Sequence, residues 1–424
     1  MTRGWRSSCV LAVAIALLPV HGRAQDDIPL QPILEDVYRI GGVGAPAWAQ
    51  FTRPGFIAFD AIGNLYITDP GKADIVVANP QGQLLRTIGR RGRGPGELQS
   101  IVALLVWRDG TVAVVDIGTR AFELFGSDGS FLRRVRLSES TNPLAGLDRL
   151  TSPMKPHPDG SVVIQGVPQV MGGILGNLVP SVSGTSSSQS GADRILEHID
   201  LSNDVISVET LLSAWVPPSP DIDLSPADLT SAEAIMKVVL ARERYYEPEL
   251  LWDLLPDGGI AYSDSSDYAI KITTSEGSIA SVLRRPFEVE EVTRGIRSET
   301  REQWLRSIAE DELPAEFEAV IPNFRDVLKE AASELGMFPE VPVVRQLRTS
   351  WNGGIWIQRR GEDPWDNEGP IDVFDPDHRY VGTISSTDMT LPVAFGPDGL
   401  VAVWELEDLD IPAIIVKRLP MRMR

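Results

Sequence analysis

The sequence predicts an all-β fold: a six-bladed β-propeller with four-stranded antiparallel blades, an N-terminal strand that closes the last blade, and helical insertions on one face. Three observations indicate this fold. A hairpin signature recurs six times, most spacings between its copies match the length of a propeller blade, and a spare strand near the N-terminal end can complete the last repeat.

The hairpin signature is a turn with glycine followed by a short strand of β-branched or apolar residues. The aligned glycines are spaced by 47, 50, 98, 95 and 46 residues, and propeller repeats are about 40–50 residues long. Each of the two long spacings corresponds to one blade plus an insertion of similar size. Asp-Gly and Asn-Gly dipeptides predict type I′ turns, which need positive φ at both central residues. The aligned glycines are Gly63, Gly110, Gly160, Gly258, Gly353 and Gly399.

A second turn follows in most repeats, as at residues 79–82 and 127–129, which makes four strands per repeat. The last repeat stops after its third strand, around residues 414–419. A strand predicted at residues 35–40 precedes the first repeat and can supply the missing fourth strand. The two ends of the chain are therefore expected to pair, which an open array of repeats would not need.

The N-terminal segment has the features of a secretory signal peptide. Two arginines precede an apolar run at residues 9–20, and small residues favour cleavage after Ala24. The run is about half of the roughly 20 residues that a membrane span needs. We therefore expect residues 1–24 to be a signal peptide and residues 25–424 to be a periplasmic or secreted propeller, not an integral membrane protein. The only cysteine, Cys9, lies within the signal, so no disulfide is expected.

The composition narrows the classes of partner. The formal net charge is −20 at pH 7. Such a chain repels nucleic-acid phosphates and anionic lipid surfaces, so no nucleic-acid partner is expected. We expect a monomer whose partner is a small ligand, a glycan or a protein.

One linker and one strand pattern resemble those of a known group of proteins. Residues 88–98, with the sequence IGRRGRGPGEL, resemble the Gly-x-Gly-x-Gly-Pro-Gly-Glu-Phe linker of bacterial six-bladed propeller proteins of the NHL-like and TolB-like group. Asp69, Asp116 and Asp264 lie where the NHL pattern has an aspartate after the second strand. The fifth and sixth repeats lack this aspartate, and Leu98 replaces the usual phenylalanine. The resemblance implies the fold over essentially the whole mature chain, but the group does not have one activity.

The glycine-rich linker also invites comparison with a phosphate-binding loop. It lacks the Gly-Lys-Ser/Thr ending and the helix that would follow, so we interpret it as a flexible linker between strands. The three aspartates are expected to accept hydrogen bonds from backbone amides in tight loops.

All the long insertions are expected on one face of the ring. In a four-stranded blade, the turns between strands one and two and between strands three and four lie on one face, here called the turn face. The other connections and the links between blades lie on the opposite face, here called the link face. Insertions are predicted at about 167–192, 214–247 and 286–340, with one helix in the second and at least two in the third. We hypothesise that they form a partial lid over the channel mouth; the alternative is that they only cover apolar blade surface.

The link face also collects charged and aromatic loop residues, which are the candidate ligand-binding residues. A basic cluster there could hold a carboxylate, sulfate or phosphate group. Alternatively, these arginines pair with neighbouring acids. The candidates are Arg90, Arg91, Arg93, Arg120, Arg359, Arg360, Trp365 and Glu405.

No metal site and no cofactor is predicted. His157, His198 and His378 are assigned to different repeats and interpreted as turn or surface histidines. A channel calcium ion would need converging oxygen ligands, to which Asp264 and Glu405 could contribute.

Three functions stay open, and no catalytic motif such as Gly-x-Ser-x-Gly decides whether the chain is an enzyme. The favoured function is an exported binding module that recognises a ligand, glycan or protein at the helix-covered mouth of the channel. The second is a metal-dependent lactonase or hydrolase. The third is a scaffold that uses Trp365 and exposed blade edges for protein contacts.

Overall fold

A computed structural model gives the architecture of most of the chain. The described residues are 27–53, 55–69, 71–138, 153–166, 194–218, 244–310, 324–334, 336–407 and 410–424. The predicted signal peptide, the predicted insertion at 167–192 and the helix predicted within 214–247 lie outside them.

Six four-stranded antiparallel sheets form the blades, in agreement with the predicted propeller. Blade 1 contains β2 (Ile57–Phe59), β3 (Leu65–Thr68), β4 (Ile75–Ala78) and β5 (Leu84–Ile88). Blade 2 contains β6 (Ile101–Val106), β7 (Val112–Asp116), β8 (Ala121–Phe125) and β9 (Phe131–Arg136). Blade 3 contains β10 (Met154–Pro156), β11 (Val162–Gln165), β12 (Ile195–Asp200) and β13 (Ser207–Ser213).

The remaining blades follow the same order of strands. Blade 4 contains β15 (Leu251–Leu254), β16 (Ile260–Ser263), β17 (Ala269–Thr273) and β18 (Ile279–Arg284). Blade 5 contains β22 (Val344–Thr349), β23 (Ile355–Arg359), β24 (Ile371–Phe374) and β25 (Tyr380–Ile384). Blade 6 contains β26 (Ala394–Phe395), β27 (Leu400–Leu406), β28 (Pro412–Arg418) and the N-terminal strand β1 (Glu35–Gly41). Short 3-10 turns lie at Ala47–Ala49, Pro397–Gly399 and Met421–Met423.

The predicted closure of the ring is confirmed. Strand β1 pairs antiparallel with β28, and Ile40 lies opposite Ile414. Both isoleucines are buried in an apolar cluster that also contains Phe59 and Leu65 of blade 1. The N-terminal strand is therefore part of the contact between the last blade and the first.

The interior is divided into six apolar clusters, one between each pair of neighbouring blades. The middle strands of a blade have neighbours on both faces, so β7 and β8 are buried along their whole length. The fourth strands are at the rim, and β18 is mostly exposed. This explains why the middle strands are mostly apolar, while fourth strands such as β5 and β18 also contain exposed polar residues.

The prediction of type I′ turns is wrong for five of the six aligned turns. Of the residues that precede the aligned glycines, only Asp398 has a positive φ, of 54°. In blade 3, the amide of Gly160 donates to the His157 carbonyl at 3.1 Å and the amide of His157 donates to the Ser161 carbonyl at 2.9 Å. This is a three-residue loop in which a type I turn precedes a left-handed glycine. Asp159 does not have the positive φ that the first central residue of a type I′ turn needs, and it is instead the second central residue of the type I turn.

The predicted role of the three aspartates is confirmed, and each of them also joins its blade to the incoming link. The carboxylate of Asp116 accepts hydrogen bonds from the amides of Gln99 and Ser100 at 2.8 and 3.0 Å. In the same way, Asp69 accepts from the amide of Thr52 and Asp264 from that of Trp215. These bonds attach the end of a second strand to the segment that enters the blade.

Part of the predicted insertion at 286–340 forms an accessory layer on the link face of blades 4 and 5. It contains helix α1 (Arg294–Glu310), helix α2 (Phe324–Glu334), the parallel pair β14 (Arg244–Tyr245) and β20 (Gly336–Met337), and the antiparallel pair β19 (Glu290–Glu291) and β21 (Glu340–Val341). The layer has its own apolar cluster, which includes Tyr246, Ile296 and Phe338. At least two helices are predicted here, and the described residues contain two, α1 and α2.

We predict that ring closure contributes strongly to stability. Replacing Ile40 with alanine should lower the free energy of unfolding by about 2–5 kcal/mol, because it leaves a cavity in the cluster that joins blades 6 and 1. Ile33→Ala is the matched control, since Ile33 is 76% exposed and its loss should change stability by less than about 0.5 kcal/mol. Urea unfolding followed by circular dichroism measures both, and equal losses would contradict the prediction.

Candidate functional site

One cavity is the central channel, with a volume of about 1050 Å3. It is lined by the first strands of all six blades. Arg108 of blade 2 reaches across to Trp351 of blade 5, on the opposite side of the ring. Its Nη2 donates to the Trp351 carbonyl at 2.5 Å, and its guanidinium carbon lies 4.3 Å from the centre of the indole ring. This bridge crosses the channel at the turn face.

A second cavity lies at the link face, beneath the accessory layer, and has a volume of about 470 Å3. Leu251 and Val344 place it at the link-face ends of the first strands of blades 4 and 5. Trp304 of α1 contributes one wall, and Trp365 of the loop between β23 and β24 contributes another. We call this space the accessory cavity. Its polar lining residues are Arg244, Glu247, Glu249, Arg345, Gln346 and Asn367.

A tyrosine pair at the end of β14 builds one side of the accessory cavity. Tyr245 and Tyr246 pack edge to face with ring centres 4.7 Å apart. The hydroxyl groups of Tyr246 and Thr300 of α1 are joined by a hydrogen bond of 2.7 Å. Tyr246 has a φ of 66°, which is strained for a bulky residue. The surrounding contacts must hold this conformation, so the wall of the cavity is preorganised.

The two arginines that line the accessory cavity, Arg244 and Arg345, differ in their partners. Arg244 and Glu247 form an ion pair of 2.8 Å, and Arg194 lies 3.3 Å from the same glutamate. Arg345 makes no ion pair within 4.0 Å with any described residue; its Nη2 donates to the Pro364 carbonyl at 2.5 Å. Burial lowers the pKa of Arg345 and outweighs the nearby acids and tyrosines. Arg345 therefore remains available as a donor to a bound molecule.

The candidate arginines of blades 1 and 2 have local partners. Arg90 pairs with Glu97 at 2.8 Å, and the amide of Arg93 donates to the same carboxylate at 3.0 Å. Arg91 Nη2 lies 3.4 Å from the Gly71 carbonyl. Arg120 has a φ of 53°, and its amide donates to the Asp116 carbonyl at 2.8 Å. Blade 5 lies across the ring from blade 2, so the structure does not unite these residues with Arg359 and Arg360.

Arg359 belongs to a buried ionic network. Its Nε lies 3.4 Å from Asp372, its Nη2 lies 2.6 Å from Asp27, and Arg285 lies 2.8 Å from Asp372. Burial opposes the ionisation of Asp27, but hydrogen bonds and charge from Arg359 and Arg285 prevail and lower its pKa. Arg360 pairs with Glu290. Both candidate arginines of blade 5 are therefore neutralised by carboxylates, as the alternative interpretation anticipated.

The other two candidates have different surroundings. Trp365 lines the accessory cavity, so the structure brings it together with Trp304. Glu405 is exposed and lies 3.9 Å from Arg39, and Asp264 is held by Lys271 at 2.7 Å. Sequence reasoning missed the cavity-lining roles of Tyr245 and Arg345. Tyr245 and Tyr246, adjacent aromatic residues just before blade 4, were the available signal.

The assignment of the histidines to three different repeats is wrong. His157 and His198 both belong to blade 3, and their ring centres are 5.5 Å apart. The long insertion between them made them seem to lie in separate repeats.

No protein-family model and no curated protein sequence matches this chain. Among solved structures, it is similar to a member of the DUF4221 family from Bacteroides vulgatus, at 10% identity and a TM-score of 0.47, over 92% of this chain and 99% of that one. It is also similar to virginiamycin B lyase from Staphylococcus aureus, at 12% identity and a TM-score of 0.38, over 89% and 98%. A calcium-binding protein, regucalcin, from Agrobacterium tumefaciens matches at 13% identity and a TM-score of 0.38, over 93% and 99%. The strand pairing within this chain, and not these similarities, establishes the propeller.

None of the helices in the described ranges has both the length and the apolar character to cross a bilayer.

We predict that the network around Asp372 is structural. Asp372→Asn should lower the free energy of unfolding by about 3–5 kcal/mol, because it leaves Arg285 and Arg359 buried with too few negative charges. Asp377→Asn is the matched control: its partner Arg379 is 78% exposed, and such surface pairs contribute about 0–1 kcal/mol. Thermal or urea unfolding measures both variants. If Asp372→Asn loses as little free energy of unfolding as Asp377→Asn, the network around Asp372 is not structural.

Proposed function

We propose that this chain is an exported binding protein that holds a saccharide in the accessory cavity. One observation carries the proposal: Trp304 and Trp365, from two separate insertions, line one cavity together with arginine, glutamate, asparagine and glutamine side chains. Indole rings can cover the C–H face of a sugar ring, and the polar side chains can donate to and accept from its hydroxyl groups. Export rests on the signal peptide that we infer at residues 1–24.

The size of the cavity supports a small ligand. Ligand pockets commonly have volumes of about 300–1,000 Å3, and the accessory cavity has about 470 Å3. One or two sugar rings are of this scale. A protein partner would need a larger and flatter contact surface.

The charges of the cavity favour a neutral, hydroxylated ligand. Two arginines and two glutamates line it, so the formal charges cancel. The Nε atom of Arg345 is buried and has no hydrogen-bond partner among the described residues. A ligand hydroxyl that accepted from this atom would remove the cost of an unsatisfied buried donor.

The channel gives less support to a calcium-dependent hydrolase. Asp253, a buried carboxylate of the channel, is paired with Lys155 at 3.1 Å and accepts from the amide of Thr349 at 3.0 Å. Neither Asp264 nor Glu405 belongs to a group of three or more converging ligand residues within the described part of the chain.

The proposal is tested by titrating the protein with cellobiose, maltose and N,N′-diacetylchitobiose while tryptophan fluorescence and melting temperature are recorded. At least one sugar should shift the emission. At about 100 times its Kd it should raise stability by about 2.7 kcal/mol.

Trp365→Ala should weaken binding of that sugar by at least about tenfold, which corresponds to 1.4 kcal/mol. Trp215→Ala is the control, because Trp215 is 44% exposed and does not line the cavity. A saccharide site here is refuted if none of the three sugars binds by either measurement. It is also refuted if Trp365→Ala and Trp215→Ala lose the same affinity for the sugar.

A further inference from the structure

Two histidines and an aspartate meet at the turn face of blade 3. His157 and Asp159 belong to the turn between β10 and β11, and His198 lies on β12, paired with Val163. One ligand atom from each of the three residues lies within 4.8 Å of the other two. No other group of three or more His, Cys, Asp or Glu residues in the described ranges meets this condition.

The distances suit a shared ion. Nδ1 of His157 lies 2.8 Å from Asp159 Oδ1, and Nε2 of His198 lies 3.2 Å from Asp159 Oδ2. Ligand bonds of about 2.0–2.1 Å in a tetrahedron place neighbouring ligand atoms about 3.3 Å apart. The two distances from Asp159 to the histidines are therefore close to those of a metal-bound set.

His157 is held in place and is short of partners. His157 is 8% exposed, and neither of its ring nitrogens makes a hydrogen bond of acceptable geometry within the described part of the chain. Its carbonyl accepts from Trp107 Nε1 at 2.8 Å. The ring packs against Gly258, where a Cβ atom would lie 2.6 Å from Nε2. Nδ1 faces the Asp159 carboxylate without a well-aligned hydrogen bond, and a metal ion bound by both groups would satisfy them.

Ser161 orients the other two groups. Its hydroxyl donates to Asp159 Oδ1 at 2.5 Å and lies 2.6 Å from His198 Nε2. Asp159 thus presents Oδ1 towards His157 and Oδ2 towards His198.

We propose that His157, Asp159 and His198 form a binding site for one divalent transition-metal ion of the Zn2+ type. Two imidazole nitrogens and one carboxylate oxygen are donors that zinc, cobalt and nickel bind well, whereas calcium prefers oxygen ligands alone. The ion joins the first hairpin of blade 3 to its third strand. Asp159 and Gly160 also line the channel, so the site lies at the channel's edge and is separate from the accessory cavity.

The test uses the full chain without an affinity tag. Zn2+ is titrated in competition with a chromophoric chelator, and Co2+ is titrated while visible absorption is recorded. One ion should bind per chain. The Co2+ complex should show the visible absorption that is typical of Co2+ with a low coordination number. His198→Gln and Asp159→Asn should each weaken Zn2+ binding by at least about tenfold. His378→Asn is the matched control, because His378 has a φ of 61°, which asparagine tolerates, and lies in blade 5.

Folding is checked separately, through the melting temperature of each variant without metal. His198 is the primary target because its side chain is 27% exposed, whereas a change at buried His157 could unfold the blade. Zn2+ should raise the melting temperature of the native protein and of His378→Asn, and not that of His198→Gln. The absence of saturable Zn2+ binding, or undiminished binding in both His198→Gln and Asp159→Asn, would overturn the site.

Discussion

Closure of the ring is the constraint on which the other contacts depend. Each blade buries its middle strands only because a neighbouring blade covers each face, and the first and last blades obtain that cover only when the ring is closed. The pairing of β1 with β28 achieves this, because it builds blade 6 from both ends of the chain. Ile40 and Ile414 then join the cluster that contains Phe59 and Leu65 of blade 1. Loss of the pairing between β1 and β28 would expose the apolar faces of blades 6 and 1.

The links between blades are held by polar contacts that need this packing. Asp69, Asp116 and Asp264 accept hydrogen bonds from the segments that enter their blades, and all three are buried. Blade 5 has Arg359 at the corresponding strand end, and Asp372 and Asp27 neutralise it. The end of the second strand can therefore carry an acidic or a basic residue. The aspartates need backbone amide donors there, and the arginine needs carboxylates. These residues maintain the architecture and are separate from the binding residues that we propose.

The two faces of the ring differ in what they can do. Short hairpin turns dominate the turn face, where the Arg108–Trp351 bridge crosses the channel. Long insertions dominate the link face, where the accessory layer has an apolar cluster of its own and a cavity lined by two tryptophans. Trp304 of this layer shares a cavity with Leu251 of blade 4 and Val344 of blade 5, and partial cover of the channel mouth stays a hypothesis. The proposed metal site and the proposed saccharide site therefore use opposite faces and do not compete for space.

The sequence by itself determined the number of blades, their four strands and the closing strand, because these depend on local signals: a glycine turn, an apolar strand and a fixed spacing. It could not distinguish a type I′ turn from a type I turn with a left-handed glycine, since Gly160 has positive φ in both. Only the tertiary structure decided which distant residues meet. Arg359 pairs with Asp27 across 332 positions, and Trp365 joins Trp304 of α1 in one cavity. His157 and His198 meet because adjacent strands bring together residues that an intervening insertion separates along the chain.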